Sequence, residues 1–161
     1  MIVDISKEEV RICTMLAQER WLEKFQSQDR PNYAKGKQEG RLQHELLSNL
    51  RANVCEYAVA KTFNLIWNLP WYPNELHPRR KNLPDVGDNV EVRSIRTHNA
   101  IPVWRKDKGK WIVGTKVVDP EFYSQVEIYG RAKADDFMTQ EYFDGSIDGW
   151  RIPVEEFGGI E

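Results

Sequence analysis

The amino-acid sequence predicts an α+β (α/β) fold, with helices packed against a mainly antiparallel or mixed central sheet. Two long stretches with helical periodicity come first, and several short segments with alternating apolar residues follow them. The chain has 161 residues, of which 40% are hydrophobic, and it includes 6 Trp, 6 Tyr and 6 Phe. This length and composition suit one core of ordinary size, so we expect a single domain over residues 1–161.

The overall charge balance argues against a strongly basic nucleic-acid-binding protein. Lys and Arg number 23 against 25 Asp and Glu, which gives a formal net charge of -2. Contacts with nucleic acid would therefore depend on local basic patches. The N-terminal residues do not form a signal-peptide pattern, and no apolar run approaches membrane-spanning length. We expect a cytoplasmic protein without a membrane partner.

The cysteine and histidine residues do not suggest a zinc site. Cys13 and Cys55 are far apart, and we expect both to be buried free thiols in a reducing compartment. The three His residues, at positions 44, 77 and 98, show no ligand spacing.

The first predicted helix covers residues 6–27. Ser6 and Glu9 form a capping-box pattern at its start. An apolar stripe at helical spacing follows, formed by Val10, Cys13, Ala17, Trp21 and Phe25. We expect this stripe to pack on the protein's own core. The alternative is that it serves as an interface, making the chain a structural subunit of a larger assembly.

The second predicted helix runs from about Leu42 to Phe63, and the helical region ends by about residue 66. Its second half is apolar on almost every side, which is typical of a buried helix. Glu56 lies in the middle of this half, with the small residues Ala52 and Ala60 one turn away on either side. A buried carboxylate needs a cation, a hydrogen-bond donor or a proton. Glu56 is therefore a candidate site residue, and a structural ion pair with Arg or Lys is the alternative.

The rest of the chain is predicted to form loops, a sheet and a tail. Residues 28–40 read as a loop, and residues 68–84 as an extended loop with a basic tip. The sheet covers about residues 85–131, and a hairpin tip at 106–110 joins its second and third strands. The predicted strands are 90–95, 101–104, 111–118 and 126–129. In the C-terminal tail, 132–161, a short helix is expected at about 135–143, and residues 150–154 are expected to pack back.

The segment around residue 85 carries the most informative polar pattern. Gly87-Asp88-Asn89 has strong turn chemistry, and the alternation of the following strand places Glu91 and Arg93 on one face. Asp85 lies just across the turn from them. The simplest interpretation is an exposed charged hairpin with an ordinary salt bridge between Glu91 and Arg93.

A family resemblance favours a different interpretation. Pro84-Asp85 followed by Glu91-Val92-Arg93 resembles the PD-(D/E)XK signature of the restriction-endonuclease-like nucleases. The helical segment Cys55–Lys61, with Glu56, resembles the helix that precedes this signature in many members. The whole set is similar to small phage-type proteins of the superfamily and covers roughly residues 45–131. The ordered set is more specific than the short motif, which is degenerate.

The resemblance implies a restriction-endonuclease-like core and a metal-dependent nuclease that hydrolyses phosphodiester bonds, with DNA as the expected nucleic acid. Asp85, Glu91 and the Val92 carbonyl would bind Mg²⁺ or Mn²⁺, and Glu56 would bind it directly or through water. Hard divalent ions prefer such oxygen ligands. Glu56, Asp85, Glu91 and Arg93 would be the catalytic residues.

Arg93 departs from the family pattern, which usually has Lys at this position. An arginine can grip a phosphate and stabilise negative charge, but it cannot accept a proton at neutral pH. The alternative function is therefore a catalytically weak or inactive nuclease-fold protein that binds DNA or a host protein, for example in a phage regulatory or anti-defence role. The short gap between Asp85 and Glu91 also favours a minimal core without a DNA-reading insertion.

Two basic clusters are candidate nucleic-acid contacts, because phosphates attract Lys and Arg without regard to sequence. Solvated charged loops are the alternative interpretation of both clusters. The candidate residues are Arg79, Arg80 and Lys81 before the motif, and Lys106, Lys108 and Lys110, with Arg105, at the predicted hairpin tip.

Overall fold

The structure is a computed structural model that describes residues 1–26, 41–69 and 83–159. The predicted loop over 28–40 and the basic run Arg79-Arg80-Lys81 lie outside the described residues. Within the described ranges, the chain forms a mixed α+β structure with two sheets.

Both long helices form where the sequence predicts them. Helix α1 is Lys7–Gln26 and helix α2 is Arg41–Phe63. The capping box at the start of α1 is present: the Ser6 amide donates to Glu9 Oε2 at 2.7 Å, and the Glu9 amide donates to Ser6 Oγ at 3.2 Å. Cys13 and Ala17 of the stripe are buried, so α1 uses its apolar face within the chain.

The main sheet is mixed and has four strands in the order β1-β5-β4-β2. The strands are β1 (Ile2–Asp4), β2 (Val90–Ile95), β4 (Trp111–Val117) and β5 (Gln125–Lys133). Strand β2 runs parallel to β4 and the other pairs are antiparallel. The three-residue strand β1 was not predicted, since so short a segment shows no alternation.

The predicted hairpin between the second and third strands is wrong. Strand β3 (Ala100–Val103) belongs to a separate three-stranded sheet, where it pairs with β7 (Gly149–Pro153), and β7 pairs with β6 (Phe143–Asp144). Residues 105–107 form a 3-10 turn instead of a strand end. Because β2 and β4 are parallel, the chain between them must cross over, and it contributes strand β3 to the second sheet on the way.

The C-terminal region partly matches its prediction. The expected helix at 135–143 is broken into helix α3 (Ala134–Phe137) and a 3-10 turn (Gln140–Tyr142). The expectation that residues 150–154 pack back is confirmed, because β7 lies there and pairs with β3.

The buried residues form two clusters on opposite faces of the main sheet. The first cluster joins α2 to the sheet and includes Val92 and Val113. The second includes Ile95 and Ile112 and reaches Ile152 of β7. Since neighbouring residues of a strand face opposite ways, Glu91 and Arg93 of β2 point to the side of the second cluster. Both cysteines are buried free thiols, as predicted.

No helix within the described ranges is long and apolar enough to cross a membrane.

The pairing of β4 with β5 shifts register between Gly114 and Thr115, which marks a bulge in β5 next to Gly130. Gly130 has φ +148°, and the C-terminal segment docks beside it, where the Arg131 amide donates to the Gly158 carbonyl at 3.3 Å.

We expect Gly130→Ala to destabilise the protein strongly. An added Cβ would lie 2.0 Å from the Gly158 carbonyl oxygen, and the backbone conformation is one that L side chains rarely adopt. Gly109→Ala is the matched control, because Gly109 also has a positive φ, +79°, but no atom lies within 4 Å of its added Cβ. Thermal unfolding should show a melting temperature for Gly130→Ala at least ~4 °C below that of Gly109→Ala. Equal losses would contradict the steric argument.

Candidate functional site

Asp85 is fixed by the edge of the main sheet. Val86 and Val90 form an antiparallel bridge, with amide-to-carbonyl distances of 3.0 and 3.2 Å, and Gly87 makes the turn with φ +56°. Strand β2 is at the sheet edge, so the Val92 amide has no strand partner on that side. Asp85 Oδ2 accepts a hydrogen bond from that amide at 2.8 Å. The carboxylate therefore supplies the acceptor that a neighbouring strand would otherwise provide.

Asn68 holds the turn that carries Asp85. Its side-chain amide donates to the Pro84 carbonyl at 3.0 Å and to the Gly87 carbonyl at 2.6 Å, and its backbone amide donates to the Asp85 carbonyl at 3.1 Å. Sequence reasoning missed this residue, because a lone Asn after a helix carries no periodic or motif signal.

Glu56 projects from the buried half of α2 and is only 5% exposed. The Trp67 indole donates to its Oε2 at 3.0 Å. Arg20 Nη1 lies 3.9 Å from its Oε1, so the ion pair that the sequence left open as an alternative is present but long. Glu56 therefore has a hydrogen-bond donor and a distant cation.

Glu91 is paired with two cations. Its Oε2 lies 3.0 Å from Arg93 Nη1, and its Oε1 accepts a hydrogen bond from Lys110 Nζ at 2.5 Å. The Glu91–Arg93 salt bridge of the simple interpretation is thus formed. Lys110, predicted as a nucleic-acid contact at a hairpin tip, instead lies beside β2 and takes part in the carboxylate cluster.

The guanidinium of Arg93 lies at the centre of the site. Its Nη1 is 3.0 Å from Glu91 Oε2, 3.2 Å from the Val92 carbonyl and 3.5 Å from Asp85 Oδ2. These are three of the four groups that the sequence analysis proposed as metal ligands, and Glu56 is the fourth. These three point to one place, and a cationic nitrogen occupies it.

Asp107 holds the other end of this guanidinium. Its Oδ1 accepts from Arg93 Nη2 at 2.7 Å, and its Oδ2 accepts from the Trp104 amide at 2.9 Å. Asp107 is fully buried, and the Trp104 ring centroid lies 5.5 Å from Arg93 Cζ. Sequence reasoning missed Asp107 because it stood among lysines in a predicted hairpin tip. Only the crossover between the two sheets brings it to β2.

The carboxylates influence one another's pKa across three separate segments of the chain. Burial, reinforced by the charge of Asp85, raises the pKa of Glu56 to about 8, although Arg20 and Trp67 oppose the shift. Burial and the charge of Glu91 raise the pKa of Asp85 to about 6. For Glu91 burial acts in the same direction, but Arg93 and Lys110 outweigh it and lower the pKa. Burial is thus the largest cause of both raised pKa values, and the charge of a neighbouring carboxylate adds to it.

Unsatisfied buried groups also gather near these carboxylates. Among the described residues, three buried side-chain atoms have no hydrogen-bond partner, and two of them are Arg20 Nη1 and Arg93 Nε. Such unpaired atoms are rare in proteins and call for an explanation. A water molecule or a bound ligand that supplies the missing hydrogen-bond partner is one such explanation. Both arginines flank the cluster of Glu56, Asp85 and Glu91.

The donor chemistry fits a hard divalent cation. Asp85, Glu91 and the Val92 carbonyl supply oxygens that converge within 3.0–3.5 Å of one nitrogen, and Mg²⁺ and Mn²⁺ prefer oxygen ligands. In the described ranges, however, no three His, Cys, Asp or Glu side chains are arranged so that they could hold a metal ion. The residue types fit, while Arg93 occupies the point of convergence.

An open cavity of about 440 Å³ lies beside this site. It is lined by Trp104, Arg105, Lys106 and Asp148. Lys106 Nζ lies 5.9 Å from the Trp104 ring centroid, and Arg105, Lys106 and Lys108 are all exposed. Of the predicted nucleic-acid contacts, Lys106 and Lys108 therefore remain available to a ligand, and Arg79, Arg80 and Lys81 lie outside the described residues.

Comparisons with known proteins identify no relative: no family model, no curated protein and no solved structure matches this chain. The resemblance to the PD-(D/E)XK nucleases therefore stays a prediction from the motif residues.

We expect Glu56→Gln to stabilise the metal-free protein at high pH. The pKa of Glu56 is about 8 in the folded state against an ordinary value of 4.5, so the folded state holds the proton more tightly. Its contribution to stability is then lost as pH rises from about 4.5 to 8. Gln mimics the protonated form and removes that loss. In EDTA, the variant should melt at least ~3 °C above the native protein at pH 8.5 and equally at pH 4.5.

Glu155→Gln provides the control, because Glu155 is exposed and lies outside the cluster. It should leave the melting temperature unchanged at both pH values. A Glu56→Gln variant that is less stable than the native protein at pH 8.5 would show that the Glu56 charge is well compensated.

Proposed function

We propose that this protein is a metal-dependent phosphodiesterase that acts on nucleic acid, with DNA as the expected substrate, on a restriction-endonuclease-like core of the small phage type. The observation that carries the proposal is the convergence of Asp85 Oδ2, Glu91 Oε2 and the Val92 carbonyl within 3.5 Å of one point. Motif order and the pKa values of the carboxylates support it.

Asp85, Glu91 and the Val92 carbonyl would hold Mg²⁺ or Mn²⁺, with Glu56 binding directly or through water. The bound ion would polarise a phosphate oxygen and make a water molecule easier to ionise. Asn68 and the Val92 amide fix the Asp85 carboxylate, so this ligand is preorganised. Preorganised ligands reduce the cost of reaching the reactive geometry.

Two cationic side chains can act on the substrate in different ways. Arg93 can bind a phosphate and stabilise the negative charge that develops on it, but it stays protonated. Lys110, the residue immediately before the neighbouring strand β4, brings a primary amine to Glu91. An amine can orient or deprotonate a water molecule, so Lys110 supplies the kind of group that the motif lacks at position 93.

The open cavity offers a path for the nucleic acid. Trp104 provides an aromatic surface on which a base can stack, and the exposed Lys106 and Arg105 can contact phosphates. The same Trp104 ring lies 5.5 Å from Arg93 Cζ, so Trp104 is the residue that connects the cavity to the site.

A second function is favoured by the position of Arg93. Its Nη1 already neutralises the converging oxygens, and the buried Asp107 holds it in place. A guanidinium that stays there would give a protein that keeps the nuclease-like site but binds DNA or a host protein without cleaving it. The presence or absence of metal-dependent cleavage separates the two functions.

We expect the native protein to cleave DNA with Mg²⁺ or Mn²⁺, and Asp85→Asn to abolish the cleavage. Asn keeps an oxygen that can accept the Val92 amide but loses the charge that a metal requires. Lys110→Met should lower the rate at least ~10²-fold by removing the amine. The assay compares linear, circular and single-stranded DNA, each with and without EDTA.

Glu155→Gln and Lys7→Ala are the matched controls for charge loss, because both residues are exposed and outside the site. They should cleave at the native rate. If the native protein cleaves none of the substrates with either ion, the catalytic proposal fails, and DNA binding under the same conditions would favour the second function.

We expect the double variant Lys106→Ala, Lys108→Ala to weaken DNA binding most strongly at low salt. Each lost phosphate contact should reduce the slope of log K against log salt concentration by about 0.9, because fewer counterions are released. Fluorescence anisotropy at several salt concentrations measures both quantities. An unchanged slope would show that these lysines do not touch the phosphates.

A further inference from the structure

The position expected for the metal already contains a positive charge. Arg93 Nη1 lies within 3.5 Å of all three converging oxygens, while a divalent ion would bind such oxygens at roughly 2.0–2.6 Å. An ion there would lie in contact with Nη1. Two cations in contact repel each other strongly in a poorly solvated site, so they cannot share these ligands.

Arg93 is held in this position from its other side. Asp107 is fully buried and accepts from Nη2 at 2.7 Å, and the Trp104 amide fixes the second oxygen of Asp107. Breaking one half of a buried ion pair is costly because it leaves the other charge uncompensated. Asp107 therefore keeps the guanidinium directed at the converging oxygens.

The hydrogen bonding of Arg93 shows that its position follows the charges around it. Nη1 is shared among three oxygens, whereas the buried Nε has no partner among the described residues. A guanidinium placed only to satisfy its donors would not leave Nε unpaired. The carboxylates on either side determine where it lies.

Building on the proposed function, we infer that Arg93 is a resident counter-cation that competes with the divalent ion for Asp85, Glu91 and the Val92 carbonyl, and that Asp107 is the residue that positions it. The metal binds only when the guanidinium leaves these oxygens. The Arg93–Asp107 pair thereby lowers the affinity of the site for metal.

The inference is tested by replacing the pair without changing the net charge. The double variants Arg93→Met, Asp107→Leu and Arg93→Gln, Asp107→Asn each remove one positive and one negative charge. Mn²⁺ binding, measured by electron paramagnetic resonance and by calorimetry without DNA, should be at least ~10-fold tighter in either variant that folds. Buried ion pairs often tolerate apolar replacement, and the Gln–Asn variant keeps the possibility of a hydrogen bond.

The single variant Asp107→Asn separates the roles of the two residues. It leaves the guanidinium of Arg93 near the oxygens but removes the charge that positions it, so its Mn²⁺ affinity should lie between that of the native protein and that of the double variants. The control pair is Arg151→Gln, Asp144→Asn, which removes an Arg–Asp ion pair between β7 and β6, away from the site. Its Mn²⁺ affinity should equal the native value.

Failure of the inference can be told apart from failure of the proposed function. Tighter Mn²⁺ binding by a double variant, without DNA cleavage by any protein, would retain the inference and overturn the nuclease. Metal-dependent cleavage by the native protein, with equal Mn²⁺ affinity in all variants, would retain the nuclease and overturn the inference. The inference is also overturned if Asp107→Asn alone binds Mn²⁺ as tightly as the double variants, or if no folded variant binds Mn²⁺.

Discussion

The site depends on one largely buried guanidinium, that of Arg93, whose side chain is 13% exposed. Arg93 connects the edge strand β2, the turn that carries Asp85 and the 3-10 turn that carries Asp107. These segments belong to different parts of the fold, since Asp107 lies on the crossover between β2 and β4 and Asp85 lies just before the turn that leads into β2. Without a cation at this place, Asp85 and Asp107 would lose their ion pairs with Arg93, and Glu91 would keep only its pair with Lys110. The ion pairs of Arg93 thus join the two sheets at the point where the carboxylates meet.

Glu56 shows that the same cluster is not arranged for stability alone. Its raised pKa means that the folded protein is destabilised by this carboxylate at neutral and higher pH, and an apolar or amide side chain would avoid the loss. Structural ion pairs usually lower a carboxyl pKa, as Arg93 and Lys110 do for Glu91. A group with a strongly perturbed pKa beside other carboxylates is more typical of a binding or catalytic site. This contrast between Glu56 and Glu91 is why we favour a cation-binding function over a purely structural network.

Local patterns in the sequence predicted much of this arrangement, and long-range contacts account for what they missed. Periodicity placed both helices, Ser6 and Glu9 marked the start of α1, and alternation put Glu91 and Arg93 on one face of β2 with Asp85 across the turn. Asp107 and Lys110 were wrongly placed at a hairpin tip. A lysine-rich segment that contains glycine is typical of a turn, and this pattern does not reveal whether the aspartate within it is buried. Only the parallel pairing of β2 with β4 brings these residues beside β2, and no local pattern encodes that pairing. Asn68 was missed for the same reason, since its role is to bind a turn some 16 residues later.

The competition at Arg93 has a consequence for how metal and nucleic acid would bind under the proposed function. A phosphate offers the guanidinium new oxygen acceptors, including one for the unpaired Nε, and the Trp104 ring in the cavity wall lies 5.5 Å from Arg93 Cζ. If Arg93 turns towards a phosphate, the oxygens of Asp85, Glu91 and Val92 become free for the metal. Binding of the phosphate then strengthens binding of the metal, and binding of the metal strengthens binding of the phosphate. Thermodynamic linkage requires that the two affinities rise by the same factor. Such a site would bind divalent ions weakly until a substrate is bound. This property depends on arginine at position 93, because a single lysine nitrogen could not reach both the carboxylates and Asp107.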